Sequence, residues 1–314
     1  MVAPDAAGGI IVTRARPLSL LAAALLALGA TGSAIADEEE KDFSWNTDAD
    51  VRVEIEIVSG QIEIEGWDRN EVRVQLEGDD ARRLDIEAGR KKVSIRSPGL
   101  GGRRFPWASG GMEVDVSIFV PVNSRIKAKS MNGPIHAKGV GGVLNFYSAN
   151  GDVQVEGSPS EARIETINAS IELEGLASRV DARTVNGSIK LTGVSTEVSA
   201  STISGSIEVE AATLERADLK TLSGSIELTT RFADRARANL KSFSGSIRLD
   251  LPSDTSARFD IQSFSGGIVN ELATSSTHSG PRVGGQHLEF TTAEGDGRVD
   301  IESFSGGVEI RVAD

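Results

Sequence analysis

Thr202-Ile203-Ser204-Gly205-Ser206-Ile207-Glu208-Val209-Glu210 is answered by Thr221-Leu222-Ser223-Gly224-Ser225-Ile226-Glu227-Leu228-Thr229. The pattern returns as Ser242-Phe243-Ser244-Gly245-Ser246-Ile247-Arg248-Leu249-Asp250. Each copy alternates apolar and polar residues around a central Ser-Gly. Period two is the signature of a strand, and helical spacing is absent. Working outward, the same corner recurs at Gly133, Gly151, Gly187, Gly205, Gly224, Gly245, Gly266 and Gly306, with Ala169 in one slot. The spacings from Gly133 are 18, 18, 18, 18, 19, 21, 21 and 40. A fixed period this short means that each repeat is one small unit stacked on the last. The final step of 40 spans about two periods, so one coil there is degenerate or replaced by an insertion near 271–298.

The columns within a period carry the argument further. Seven and five residues before each glycine stand apolar side chains, among them Val198 and Ala200, Ala217 and Leu219, Ala238 and Leu240. Three before it, every copy has Ser or Thr, as in Thr184, Thr202, Thr221 and Ser242. Stacked parallel strands lie about 4.8 Å apart and place like residues over like. The Ser/Thr and Asn columns can then hydrogen-bond along the stack, which keeps buried polar groups satisfied. The glycine, with Asn or Ser beside it, suits a corner of positive φ. Ala169 must accept that geometry at a cost, or its corner differs. The predicted fold is all-β, a parallel β-solenoid (β-helix) of about 18–21 residues per coil over residues 125–314.

Residues 51–124 also alternate, as in Val51–Ile57 and Glu113–Phe119, and are expected to form an N-terminal β-rich cap. Gly60 is a candidate early copy of the corner. The chain ends on a repeat strand through Ile310, an edge expected to be open unless the insertion folds over it or another chain pairs with it.

The first residues read as an export signal. Arg14 and Arg16 precede the apolar run Leu18–Leu28, and Ala34-Ile35-Ala36 supplies an A-x-A cleavage site. The run is about half of the roughly 20 residues that a membrane-spanning helix needs. Residues 1–36 are therefore expected to be a signal peptide and 37–50 an acidic leader, with no transmembrane segment after cleavage. The mature chain is expected in the periplasm, at the cell surface or secreted.

Composition narrows function. Without cysteine there is no disulfide, thiolate metal site or Cys nucleophile. A net charge of −13 argues against a nucleic-acid partner. His136, His278 and His287 show no metal-ligand spacing, and neither a cofactor motif nor a catalytic set is found.

The string Val58-Ser59-Gly60-Gln61-Ile62-Glu63-Ile64-Glu65-Gly66-Trp67 leads through Val120-Pro121 into Arg125–Lys129. Together with the iterated Asn-Gly-Ser-Ile and Ser-Gly-Ser-Ile copies, it resembles the bacterial adhesin-like family called domain of unknown function family 4097. The resemblance covers about Val51 to Val312. It implies an often exported β-solenoid of the cell envelope and carries no catalytic residues over. Ala169 and the segment 271–298 depart from the pattern.

Two places are candidate binding features. The Gly-rich loop Ser97–Met112 holds Arg103, Arg104, Phe105 and Trp107, a hot-spot composition on an acidic chain. A floppy loop whose aromatics pack on the cap is the expectation, and binding of an anionic glycan, a phospholipid headgroup or a partner's acidic patch is the alternative. Phe243, Phe264 and Phe304 continue a column two before the glycine that begins at Met131. Inward packing at the bend is the expectation for them, and an outward stripe marking a partner surface is the alternative. The expected function is a non-enzymatic binding or structural module of the envelope, facing an envelope protein or a glycan. The alternatives are a periplasmic regulatory or envelope-stress partner binding through a loop or strand edge, and a polysaccharide-active enzyme. The repeats lack aromatic sugar platforms and a clustered set of carboxylates, which counts against the enzyme.

Overall fold

In the computed structural model the described residues are 41–98, 112–272, 278–282 (backbone) and 285–313. All lie within the compact unit Glu39–Asp314. The expected signal peptide lies outside them.

The N-terminal stretch supplies β1 (Lys41–Asn46), β2 (Arg52–Ser59), β3 (Ile62–Trp67), β4 (Glu71–Glu77), β5 (Asp85–Ala88), β6 (Lys92–Arg96) and β7 (Asp115–Pro121). The repeats follow as β8 (Arg125–Asn132), β9 (Ile135–Lys138), β10 (Val143–Ser148), β11 (Val153–Glu156), β12 (Glu161–Thr166), β13 (Ile171–Glu174), β14 (Arg179–Arg183) and β15 (Ile189–Val194). They continue as β16 (Glu197–Ser204), β17 (Ile207–Ala211), β18 (Leu214–Ser223), β19 (Ile226–Thr229), β20 (Phe232–Ser244) and β21 (Ile247–Pro252). The C-terminal part holds β22 (Ala257–Ser265), β23 (Ile268–Asn270), β24 (His278–Arg282), β25 (Gly285–Thr292), β26 (Gly297–Ser305) and β27 (Val308–Ala313). Among the described residues the sole helical element is a 3-10 turn, Ala81–Arg83. No described helix is long and apolar enough to cross a membrane.

The strands form two long sheets, ordered β1-β4-β7-β3-β9-β11-β13-β15-β17-β19-β21-β27-β23 and β24-β25-β22-β26-β20-β18-β16-β14-β12-β10-β8-β2-β6-β5. Each coil gives one strand to each sheet and turns at the Asn/Ser-Gly corner. Pairing between coils is parallel and in register, so Val180, Val198, Ala217 and Ala238 lie in one row. Ile189, Ile207, Ile226 and Ile247 form the facing row. These side chains are buried between the sheets. Each large aliphatic removed from water contributes about 1.5–3 kcal/mol, so every coil adds to one continuous core. The stack is therefore the predicted parallel solenoid.

The ends are built differently from the middle. The β2/β3 coil pairs with β8/β9 on one side and with β6/β7 on the other, so neither sheet breaks at residue 124. Within the expected leader at 37–50, Lys41–Asn46 instead forms β1, antiparallel to β4. Phe43 and Trp45 alternate along it and pack against the core, which a purely solvated leader would not do.

At the other end the chain doubles back. β22/β23 runs past the end of the stack, β24 and β25 form an antiparallel hairpin on β22, and β26/β27 is then laid between β20/β21 and β22/β23. This accounts for the spacing of 40. It also corrects the expectation of an open terminal edge, because Val308–Ile310 has a strand on each side. The hairpin brings Phe290 onto the buried Phe259, with ring centroids 4.5 Å apart, and closes the core there.

Candidate functional site

The corner is a repeated device, and it decides which side chains face outward. Thr202 donates its hydroxyl to the Gly187 carbonyl at 3.0 Å, Thr221 to Gly205 at 3.1 Å and Ser303 to Gly306 at 3.0 Å. A hydroxyl that must reach a corner carbonyl points inward, and strand alternation then turns the next residue out. Phe243, Phe304 and Phe264 are accordingly 52%, 45% and 55% exposed. The inward packing expected at this bend is corrected. Met131, Ile167, Val185, Ile203 and Leu222 continue the same exposed row. With the buried Ala149 it makes an apolar ridge about 40 Å long, at one rung per 4.8 Å.

Beside the ridge, Asn132, Asn150, Asn168 and Asn186 form an amide ladder with steps of 2.9, 2.9 and 3.0 Å. The expected bonding along the stack is thus present for Asn, and for Thr184, Thr202 and Thr221, whose hydroxyls reach the corner carbonyl of the adjacent coil, whereas the Ser130 hydroxyl has no such partner. Left-handed φ occurs at some corners, such as Gly205, but not at Gly187, and Ala169 takes its slot without it.

The last coils change the character of the ridge. Because β26 is laid between β20 and β22, Phe304 sits between Phe243 and Phe264. Both steps have centroids 4.7 Å apart and ring planes within 4° of parallel. The rings turn their faces to one another, so between the two outer faces of the stack a partner meets ring edges. Sugar recognition by stacking needs an open ring face, whereas an apolar ridge of edges suits an apolar groove. Alongside runs a cleft of about 540 Å³, with Lys220, Lys241, Gln262, His287 and Glu302 in its walls.

The hairpin assembles a second group that sequence spacing does not reveal. Its antiparallel register sets Glu289 opposite Asp260 and His287 opposite Gln262. The His287 Nε2 lies 3.0 Å from the Asp260 Oδ1, and the ligand atoms of Asp260, His287 and Glu289 fall within 4.8 Å of one another. No fixed interval marks such a set, because a return strand brings it together. The other candidate, the loop with Arg103, Arg104, Phe105 and Trp107, lies outside the described residues.

The family model described as Toastrack DUF4097 matches residues 42–311. No curated protein matches significantly. Among solved structures, the chain is similar to a putative adhesin from Parabacteroides merdae, at 10% identity over 87% of this chain and 97% of that one, with a TM-score of 0.45. It is also similar to a putative adhesin from Bacteroides fragilis, at 11% identity over 87% and 97%, with a TM-score of 0.40. A third is a putative lipid binding protein from Parabacteroides distasonis, at 9% identity over 88% and 98%, with a TM-score of 0.38.

Proposed function

The chain belongs to the Toastrack DUF4097 family, and from that premise we propose that it is an exported, non-enzymatic binding module of the cell envelope that docks a protein partner along its corner ridge. The export reading rests on the Arg14/Arg16, Leu18–Leu28 and Ala34-Ile35-Ala36 pattern.

The observation that carries the docking reading is the exposed Phe243–Phe304–Phe264 ladder, which prolongs an apolar row down the solenoid. Contiguous exposed apolar surface on a soluble chain marks an interaction site. The occupant is a protein presenting an apolar groove. Edge-on rings disfavour a glycan, and a net charge of −13 opposes approach to an anionic lipid surface.

The test places a photo-crosslinking amino acid at Leu222, at Phe264 or, as a control, at Glu210 in cells producing the chain. A single envelope protein crosslinked from the two ridge positions and not from Glu210 is expected. It should be lost when Phe243, Phe264 and Phe304 are all changed to Ser. Those rings are half-exposed, so the triple variant keeps its cooperative melt. Crosslinking to lipid, or equal crosslinking from Glu210, would overturn the reading.

A further inference from the structure

We propose that Asp260, His287 and Glu289 form a binding site for a divalent transition-metal ion that ties the C-terminal hairpin to the solenoid. The inference stands on the hairpin alone and does not depend on what the ridge docks.

Two independent features point to a cation. The first is the donor set. One imidazole and two carboxylates from adjacent strands already lie within 4.8 Å of one another. Around an ion with bonds of about 2.1 Å the donors stand roughly 3.0–3.4 Å apart. The exposed Glu289 side chain closes most of that difference by changing rotamer. Imidazole with carboxylates selects zinc and its neighbours over calcium, which takes oxygen ligands alone.

The second feature is the row of like charge. In-register pairing sets Asp300 opposite Asp260, and Asp260 opposite Glu289. Three carboxylates side by side on one face repel one another. Some charged neighbours find opposite partners, as where Arg248 reaches Glu227 at 3.0 Å and Glu309 at 3.4 Å, while others, such as Arg216 and Arg237, stack like on like. In this row Arg298 serves Asp300, at 2.8 and 3.0 Å. Arg298 also acts on Asp260 through its charge, while the hydrogen-bond partners of Asp260 are His287 and the amide of Gln262, which donates to it at 3.3 Å. A divalent ion adds positive charge to a row whose three carboxylates draw on Arg298, and Gln262 is placed to orient the Asp260 carboxylate as an outer-shell partner. His287 also lines the cleft beside the phenylalanine ladder, which leaves solvent access for an entering ion.

The experiment uses the purified, metal-stripped mature chain, titrated calorimetrically with Zn²⁺ and followed optically with Co²⁺. Saturable binding of one Zn²⁺ per chain is expected, with a rise in melting temperature and a visible Co²⁺ band. His287→Gln and Glu289→Gln should each weaken binding by at least about tenfold and abolish the band, while His136→Gln leaves both unchanged. Without metal, Glu289→Gln should melt no lower than the parent, because it removes a repelling charge. That guards against a trivial folding defect. Absence of saturable Zn²⁺ binding would overturn the proposal. So would binding that survives both substitutions, since it would then lie elsewhere on this acidic chain.

Discussion

At Gly224 a methyl group would come within 2.0 Å of the Gly205 carbonyl oxygen, and the backbone there has a φ of +151°. The same oxygen accepts the Thr221 hydroxyl at 3.1 Å. At Gly224, contact with the coil beneath adds to φ in excluding a side chain, although Ala169 is accommodated elsewhere in the same column. Gly187 lacks left-handed φ, yet a methyl there would approach the Ala169 oxygen to 2.1 Å. Gly224→Ala should therefore cost about 2–4 kcal/mol, through steric contact and backbone strain that stacked coils cannot relax. Gly267, with nothing within 4 Å of an added methyl, should tolerate Ala within about 0.5 kcal/mol. Urea midpoints of the two variants check the pair, and equal losses would remove the contact argument. At this scale the corner was legible from spacing alone. The outward turn of Phe243 was not, because it depends on where the neighbouring hydroxyl bonds, and period-two alternation does not say which face is in.

The strands themselves were legible as a single register, since Val198 over Val180 and Ile207 over Ile189 follow directly from like stacked on like. What the repeat does not encode is the pairing of strands that break it. β6 joins β2, and there Glu54 takes Lys92 at 2.8 Å and Arg96 at 2.9 Å. The Lys92 hydrogen bond, reinforced by the charge of Lys92, a hydrogen bond from Arg96 and the charge of Lys127, holds the Glu54 carboxyl below its ordinary value of 4.5 despite desolvation. A depressed carboxyl favours the folded state above its unfolded pKa, and that contribution is lost as pH falls through the folded value. Glu54→Gln should thus lower stability at pH 7 by about 1–2 kcal/mol, the scale of charge-assisted hydrogen bonds. The deficit should shrink as the pH is taken below 4.5 and then below the depressed value, where the parent carboxyl is also protonated. Urea midpoints of both proteins from pH 7 downward measure this. A deficit independent of pH would mean that packing, not charge, is what the substitution removes.

For the whole molecule, the order of coils in space departs from the order in the chain at both ends: β6/β7 lies outside β2/β3 at the N-terminal end, and at the C-terminal end a late coil is inserted. Ser244 pairs with Ser305, and Ser305 with Ser265, so the corner of β22 lies two rungs from that of β20. Sequence spacing alone stacks them as neighbours, because the step from Gly245 to Gly266 equals the step before it. The columns of the last coils are so alike that the interior accepts either arrangement. Ser242, Ser263 and Ser303 match, as do Phe243, Phe264 and Phe304. The final coil therefore acts as a wedge, and its removal should let β22 close onto β20. The absence of native cysteine makes this directly measurable. A disulfide needs Cα atoms about 4.4–6.8 Å apart, which one rung of about 4.8 Å meets and two rungs do not. In the full chain, Ser244→Cys with Ser305→Cys should oxidise readily, and Ser244→Cys with Ser265→Cys should not. After deletion of residues 297–314, the second pair should cross-link and the protein should still melt cooperatively. Ready cross-linking of the second pair in the full chain would contradict the inserted coil. A truncated chain that leaves 257–292 unpaired and protease-sensitive would show instead that the coils are not interchangeable, and that the last one specifies the end of the stack by more than its columns.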